Sequence, residues 1–241
     1  MSKLTAREVR RQLAAVADAE RAKGSARFFK TGAGQYGEGD VFIGVTVPQQ
    51  RVIARANRAL PLDELASLLK SRVHEERLTA LLILVDQYER GDDDTQVACH
   101  DFYLAHLAWV NNWDLVDSSA AYLVGAHLVG RRRDLLYKLA RSKSMWERRV
   151  AMVATLAFIQ RGEHADAVAI AELLLDDQHD LIHKATGWML REVGKRVGEA
   201  PLRAFLRAHA ATMPRTALRY AIERLPAAER KTWLAATANK T

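Results

Sequence analysis

Apolar residues recur along this chain at spacings of three and four rather than two, the mark of helices that each bury one stripe. The segments "PLDELASLLKS", "HEERLTALLILVDQYERG", "WERRVAMVATLAFIQRG", "AVAIAELLLDD" and "LIHKATGWMLREVGKRVG" all follow this pattern, and several open on Asp, Glu or Pro and close on Gly. About a dozen helices joined by short turns are predicted. Only "DVFIGVTV", residues 40 to 47, alternates in the β-branched manner of a strand, and Pro48 closes that run. The longest uninterrupted apolar run is "ALLILV" at 80 to 85. A membrane span needs roughly 18 to 20 such residues, so a soluble protein is expected. The start, "MSKLTAREVRRQLAAVADAERAKG", has no apolar core followed by a small-residue cleavage site, which predicts a cytoplasmic location.

An internal repeat refines this picture. In the second helix of each presumed helix pair, a polar residue is followed three places later by a small or apolar one: "RVIA" from Arg51, "RLTA" from Arg77, "DSSA" from Asp117, "RVAM" from Arg149, "KATG" from Lys184 and "RYAI" from Arg219. The positions lie 26, 40, 32, 35 and 35 residues apart, within the range of helix-pair solenoids. The predicted fold is therefore an all-α, HEAT-like helical-repeat solenoid: a single domain over 1–241 of about six helix pairs, with residues 227–241 as a basic C-terminal tail. Second helices line one concave surface in such an array, so the column predicts a basic groove in which Asp117 is the one acid.

Charge bears on what the groove would hold. The chain carries 36 Lys and Arg against 29 Asp and Glu, a net charge of +7. A basic balance favours a polyanion such as nucleic acid. The run "GRRRDLLYKLARSKSMWERR" at 130 to 149 reads either as a solvated face or as part of a phosphate-contacting surface. The lone Cys99 cannot form an internal disulfide and is read as a buried small side chain.

Two motif matches carry no chemistry. "GAGQYG" at 32 to 37 fits G-x-G-x-x-G but has no strand before it and no helix opening at its third glycine, so it is a glycine-rich loop. "HDLIH" places His179 and His183 on one helix face, yet no third ligand or catalytic Glu accompanies them, and no metal or cofactor is expected. A third set is different. Trp113 and Asp117 lie at i and i+4 and project from one helix face, as do Lys184 and Trp188. Indole faces attract cations and sugar C–H groups, and a carboxylate stabilises developing positive charge.

At these residues the sequence resembles the AlkD-type DNA alkylation repair glycosylases, a family of HEAT-like solenoids. "FFKTGAGQYGEGDVFIGVTVPQQR" (28 to 51) is similar to the family's opening signature, "NNWDLVD" to its Trp and Asp motif, "WERRVA" to its Arg motif and "LIHKATGWMLREVGK" to its last motif. The resemblance runs from about residue 15 to 225. It implies Asp117 as catalytic carboxylate, Trp113 and Trp188 as aromatic walls, and Arg149 as phosphate clamp; the spacing of three from Trp146 favours Arg149 over Arg148 for that role. Arg51, Arg77, Arg148, Lys184 and Arg219 would contact DNA, with Lys184 a phosphate contact rather than a nucleophile.

The activity implied is that of a monofunctional glycosylase which excises purines alkylated at N3 or N7 from double-stranded DNA, gripping the backbone while the base stays stacked. Such a protein would act as a monomer without a cofactor, in the cytoplasm at the nucleoid. The alternative is a HEAT-like scaffold that binds structured or damaged DNA without chemistry.

Overall fold

The computed structural model describes residues 4–236. The fold is all-helical, as the apolar spacing predicts, and the chain forms two compact units, Met1–Ser119 and Ala120–Thr241. The first contains α1 (Ala6–Ala15), α2 (Ala19–Phe28), α3 (Val47–Ala56), α4 (Leu62–Leu69), α5 (His74–Arg90), α6 (Asp93–Ala105) and the single-turn α7 (Trp113–Asp117). The second begins with a π-turn at Ala121–Gly125 and a 3-10 turn at Ala126–Leu128. It continues through α8 (Asp134–Ala140), α9 (Met145–Ala154), α10 (Leu156–Ile159), α11 (Ala165–Leu173), α12 (Asp180–Arg196), α13 (Glu199–His209), α14 (Arg215–Ala221) and α15 (Ala227–Ala236).

Side-chain caps set several helix starts, each satisfying a backbone N–H that has no intrahelical acceptor. Thr5 accepts from the N–H of Glu8, Asp18 from Arg21 and Asp92 from Thr95. In the first unit α5 is the centre. Leu78, Leu81, Ile83 and Leu84 are almost fully buried, and α1, α3, α4, α6 and α7 pack around the helix. Each such side chain contributes about 1.5–3 kcal/mol of burial free energy.

In the second unit α12 is the corresponding hub, with α9, α10, α11, α13 and α14 around it. Its closest neighbour is α14, and the approach depends on Gly187: a Cβ there would lie 2.3 Å from the carbonyl oxygen of Ala217 and 2.5 Å from the Cβ of Tyr220. The "KATG" small residue is thus a contact requirement between two backbones.

One expectation is corrected. "DVFIGVTV" is not a strand: Val41 makes an isolated parallel bridge with Val73, the segment then runs extended, and Pro48 sits in the first turn of α3. With no second strand among the described residues to continue the ladder, the segment instead gives its backbone N–H groups to a side chain. Glu75 Oε1 accepts from Ile43 (3.1 Å), Gly44 (2.8 Å) and Val45 (3.3 Å). Gly44 adopts φ +76, and a Cβ there would meet the carbonyl oxygen of Asp18 at 2.1 Å, so only glycine fits. The basic tail expected over 227–241 falls partly on a helix. Residues 227–236 form α15, which is held when Arg203 donates to Glu229 at 2.8 and 2.9 Å; residues 237–241 lie outside the described residues.

Candidate functional site

Trp113 and Asp117 open and close α7, so the pair lies one turn apart on a single helical turn. Asn112 sets the start by accepting the N–H of Trp113 at 2.8 Å. Both side chains are half-buried. Beside Asp117 stands the fully buried Tyr103, whose hydroxyl pairs with Ser119 at 2.9 Å. Burial first, and the charge of Asp117 in addition, push that hydroxyl's pKa well above the ordinary tyrosine value.

Trp113 is the outer member of an aromatic stack. Its ring lies parallel to Phe29 at 5.0 Å, Phe29 stacks on Phe42 at 4.9 Å, and Phe28 meets Trp113 edge-on at 5.8 Å. Offset and edge-to-face pairs of this kind add about 0.5–1.5 kcal/mol each beyond their area. One indole face is therefore occupied from within the unit. Phe28 is 67% exposed, the most open large apolar side chain among the described residues.

Below the stack lies a cluster of charge. His74 stacks on Phe42 at 4.6 Å and points Nδ1 at Asp40 Oδ2 (3.1 Å) and Nε2 at Asp114 Oδ2 (2.7 Å). Arg77 pairs with Asp40 Oδ1 at 2.6 Å and donates to Asn111 Oδ1 at 2.5 Å, and Asn112 donates to Asp40 Oδ2 at 3.2 Å. Burial alone would push the His74 pKa down, but Asp114 and Asp40 outweigh it and hold the imidazole above the ordinary histidine value. For Asp40 burial acts upward and is outweighed by His74 and Arg77, which keep the carboxyl below its usual range.

The second unit carries the remaining candidates. Arg149 is only 5% exposed and its Nη1 donates to the carbonyl oxygen of Leu181. Arg148 reaches Asp177 through Nε at 2.5 Å and the carbonyl oxygens of Ser142 and Lys143 through Nη1 at 2.9 and 3.0 Å. Burial would raise the Asp177 pKa; the Arg148 hydrogen bond overrides it and lowers the value. On α12, Lys184 pairs with Asp180 at 2.7 Å and stays 38% exposed, and Trp188 is half-buried one turn further on.

The expected column is thus not a uniform row of surface cations. Arg51 and Arg219 are exposed on α3 and α14, and Lys184 is part-exposed. Arg77 is 2% exposed and pairs with Asp40 and Asn111, and the buried Arg149 has Nη1 turned to backbone. Sequence reasoning missed Asp40, His74, Asp114 and the stack of Phe28, Phe29 and Phe42, although all six lie within or beside motifs already singled out. The usable signal was a polar quartet, "HEER", leading directly into the apolar "LTALLILV". Four polar residues at the start of a helix that buries every side become buried themselves and need partners.

The two discounted motifs have structural places. "GAGQYG" lies in a run of turns after α2, and Cys99 is buried, with burial pushing its thiol up to about 11. His179 precedes α12, and His183 Nε2 lies 2.5 Å from the carbonyl oxygen of Asp177. Among the described residues no group of three or more His, Cys, Asp and Glu could hold a metal ion, and no helix is long and apolar enough to cross a membrane.

Residues 9–225 match the family described as DNA alkylation repair enzyme. This chain belongs to that family. A role in DNA alkylation repair follows from the membership, which takes in α5, α7, α9, α12 and α14 with every candidate residue above. Among solved structures, the fold is similar to a "Predicted DNA alkylation repair enzyme from Enterococcus faecalis", with a TM-score of 0.66, 16% identity, and coverage of 88% of this chain and 97% of that one. At that identity the likeness speaks for the helical-repeat fold of the alkylation repair proteins alone. A search of curated proteins found no match.

Proposed function

We propose that this protein is a monofunctional DNA glycosylase that excises purines carrying a cationic N3 or N7 alkyl group from double-stranded DNA, with Asp117 as its catalytic carboxylate. The observation that carries the proposal is the placement of Trp113 and Asp117 on one short helical turn, in a member of an alkylation repair family. An alkylated purine of this kind bears a formal positive charge, so it leaves as a neutral base and needs no protonation. What remains is to favour the oxocarbenium-like sugar and to bring in water. Asp117 stabilises the sugar cation and takes the proton as water adds its hydroxyl to C1′. Trp113, whose ring lies parallel to Phe29, is read as an indole face for the cationic sugar.

Because the leaving group is already activated, the base need not be drawn into an enclosed pocket, and we infer excision without base flipping. Arg51, Lys184 and Arg219, the column cations that reach the surface, are read as phosphate contacts, and Trp188 as a further aromatic contact.

The test is single-turnover release of 7-methylguanine from duplex DNA, scored as abasic sites. Wild type is expected to release base, and Asp117→Asn to lose about 100-fold to 1,000-fold in rate, the usual effect of removing one electrostatic stabiliser. Equal rates in the two proteins would remove Asp117 from the chemistry. Binding of damaged duplex without any base release by wild type would turn the reading toward a non-catalytic scaffold.

A further inference from the structure

The buried charges beneath Trp113 take no part in the chemistry just described, yet all of them converge on the residues that flank it. Asn111 accepts from Arg77, Asn112 donates to Asp40, and Asp114 accepts from His74. Asn112 at the same time caps the Trp113 N–H, and Asp114 Oδ1 accepts the N–H of Leu115 at 2.9 Å. Of the four residues in "NNWD", three are wired into one network and the fourth is the indole lying on Phe29.

His74 is the member that joins both carboxylates to the aromatic stack. Its two ring nitrogens face one oxygen each of Asp40 and Asp114. Carboxylate oxygens only accept, so both nitrogens must donate, and a ring that donates twice is an imidazolium. Arg77 Nη2, 3.3 Å from Nδ1, is then a neighbouring cation rather than a donor to the ring. The charges facing His74 are Asp40 from the segment before α3, Asp114 from α7 and Arg77 from α5 itself. Glu75 and Glu76, its helix neighbours, are turned to the 43–45 backbone and to Arg10. Two anions thus face two cations, and loss of the His74 proton leaves one buried negative charge uncompensated. The faces of the ring are taken by Phe42 and Phe29, the second of which also carries Trp113.

A buried ion cluster is weak grounds for stability, because desolvation offsets much of its attraction. Here Arg77 Nε finds no hydrogen-bond partner among the described residues. What such a cluster does provide is a fixed geometry.

We propose that His74, as an imidazolium bridging Asp40 and Asp114, is a positioning residue for the site: it fixes the "NNWD" turn, and through it the orientation of Trp113 and Asp117. The proposal rests on the glycosylase reading for its consequence in catalysis, but not for its structural content. Its folded pKa is raised above the ordinary value, so the bridge is complete below that value and is lost as pH rises through the folded one. Activity therefore carries an alkaline limb set by His74.

The test begins with nitrogen-15 spectra of the histidine rings in the whole protein, the His74 signals assigned by their loss in His74→Gln. Both ring nitrogens are expected to be protonated at neutral pH; a neutral tautomer there overturns the proposal. As pH is raised, the Trp113 indole N–H resonance, assigned with Trp113→Phe, should shift in step with the imidazole. Asp114→Asn should bring both transitions to lower pH. An indole signal indifferent to the His74 titration also overturns it.

Single-turnover excision of 7-methylguanine supplies the catalytic arm. His74→Gln is expected to slow the step by about 100-fold, the cost of a small misplacement of a catalytic group, to leave DNA affinity unchanged, and to abolish the alkaline limb. A variant with wild-type rate and limb sinks the proposal. If wild type releases no base, the glycosylase reading fails and the spectra decide this one alone. If His74→Gln does not fold, the wild-type titration and Asp114→Asn still decide it.

Discussion

Helices α5 and α12 are each 17 residues long and each forms the hub of its unit, yet they handle charge in opposite ways. In α5 the first turn is sealed: His74, Glu75, Glu76 and Arg77 are all under 9% exposed and each has a named partner. In α12 the first turn is open: Asp180 pairs with Lys184 one turn on and with the Thr216 hydroxyl, and Lys184 remains 38% exposed. Burial would raise the Asp180 pKa, but Lys184 and Thr216 lower it. Both helices carry a basic residue at the column position. Arg77 is spent on holding a segment and a turn, whereas Lys184 keeps its ammonium near water, where a phosphate can reach it. A repeat position fixes where a side chain starts, not what it does; that is decided by the partners the neighbouring segments supply.

Breaking the sealed turn should have the largest effect. Arg77→Ala leaves Asp40 buried beside a single imidazolium, and a loss of about 3–5 kcal/mol is expected, as for other buried pairs stripped of one partner. Denaturant unfolding measures it; a loss below about 1 kcal/mol would mean the turn is not sealed as described. Next comes the contact that seats α12. Gly187→Ala forces a methyl against the Ala217 carbonyl oxygen, and overpacking of this kind costs about 1–3 kcal/mol. A neutral or stabilising substitution would show that α12 and α14 separate freely. The smallest effect is expected at the open turn. Lys184→Ala should change stability by less than about 0.5 kcal/mol while reducing the salt dependence of DNA binding by about one phosphate contact. An unchanged salt slope would make Lys184 a partner of Asp180 and nothing more.

Much of this was legible in the sequence because helices write themselves at a period of 3.6 residues. The order of helices, the i, i+4 pairing of Trp113 with Asp117, and the membership of all six column positions in helices follow from spacing. The burial of Arg77 does not. Its partner Asp40 belongs to an extended segment with no helical period, and that segment looked like a strand because Val41, Ile43 and Val45 alternate. The segment has no ladder to join; the Glu75 carboxylate takes the place of a neighbouring strand. Nor could the Phe29 stack be read, since "FF" within a signature says nothing of which ring lies on Trp113.

The hydrogen bond from Asn112 to Asp40 joins residues 72 positions apart, and the His74 pair with Asp114 spans 40. Helical repeats ordinarily fold through contacts close in sequence, with little loop entropy to overcome. The support of the Trp113 turn departs from that rule: it cannot close until everything from the Asp40 segment to α7 is in place. During synthesis the Asp40 segment and α5 emerge before the turn they hold, so Asp40 and Arg77 can pair while the places of Asn112 and Asp114 are still empty. The placement of the Trp113 turn is therefore tied to the integrity of more than seventy residues of chain.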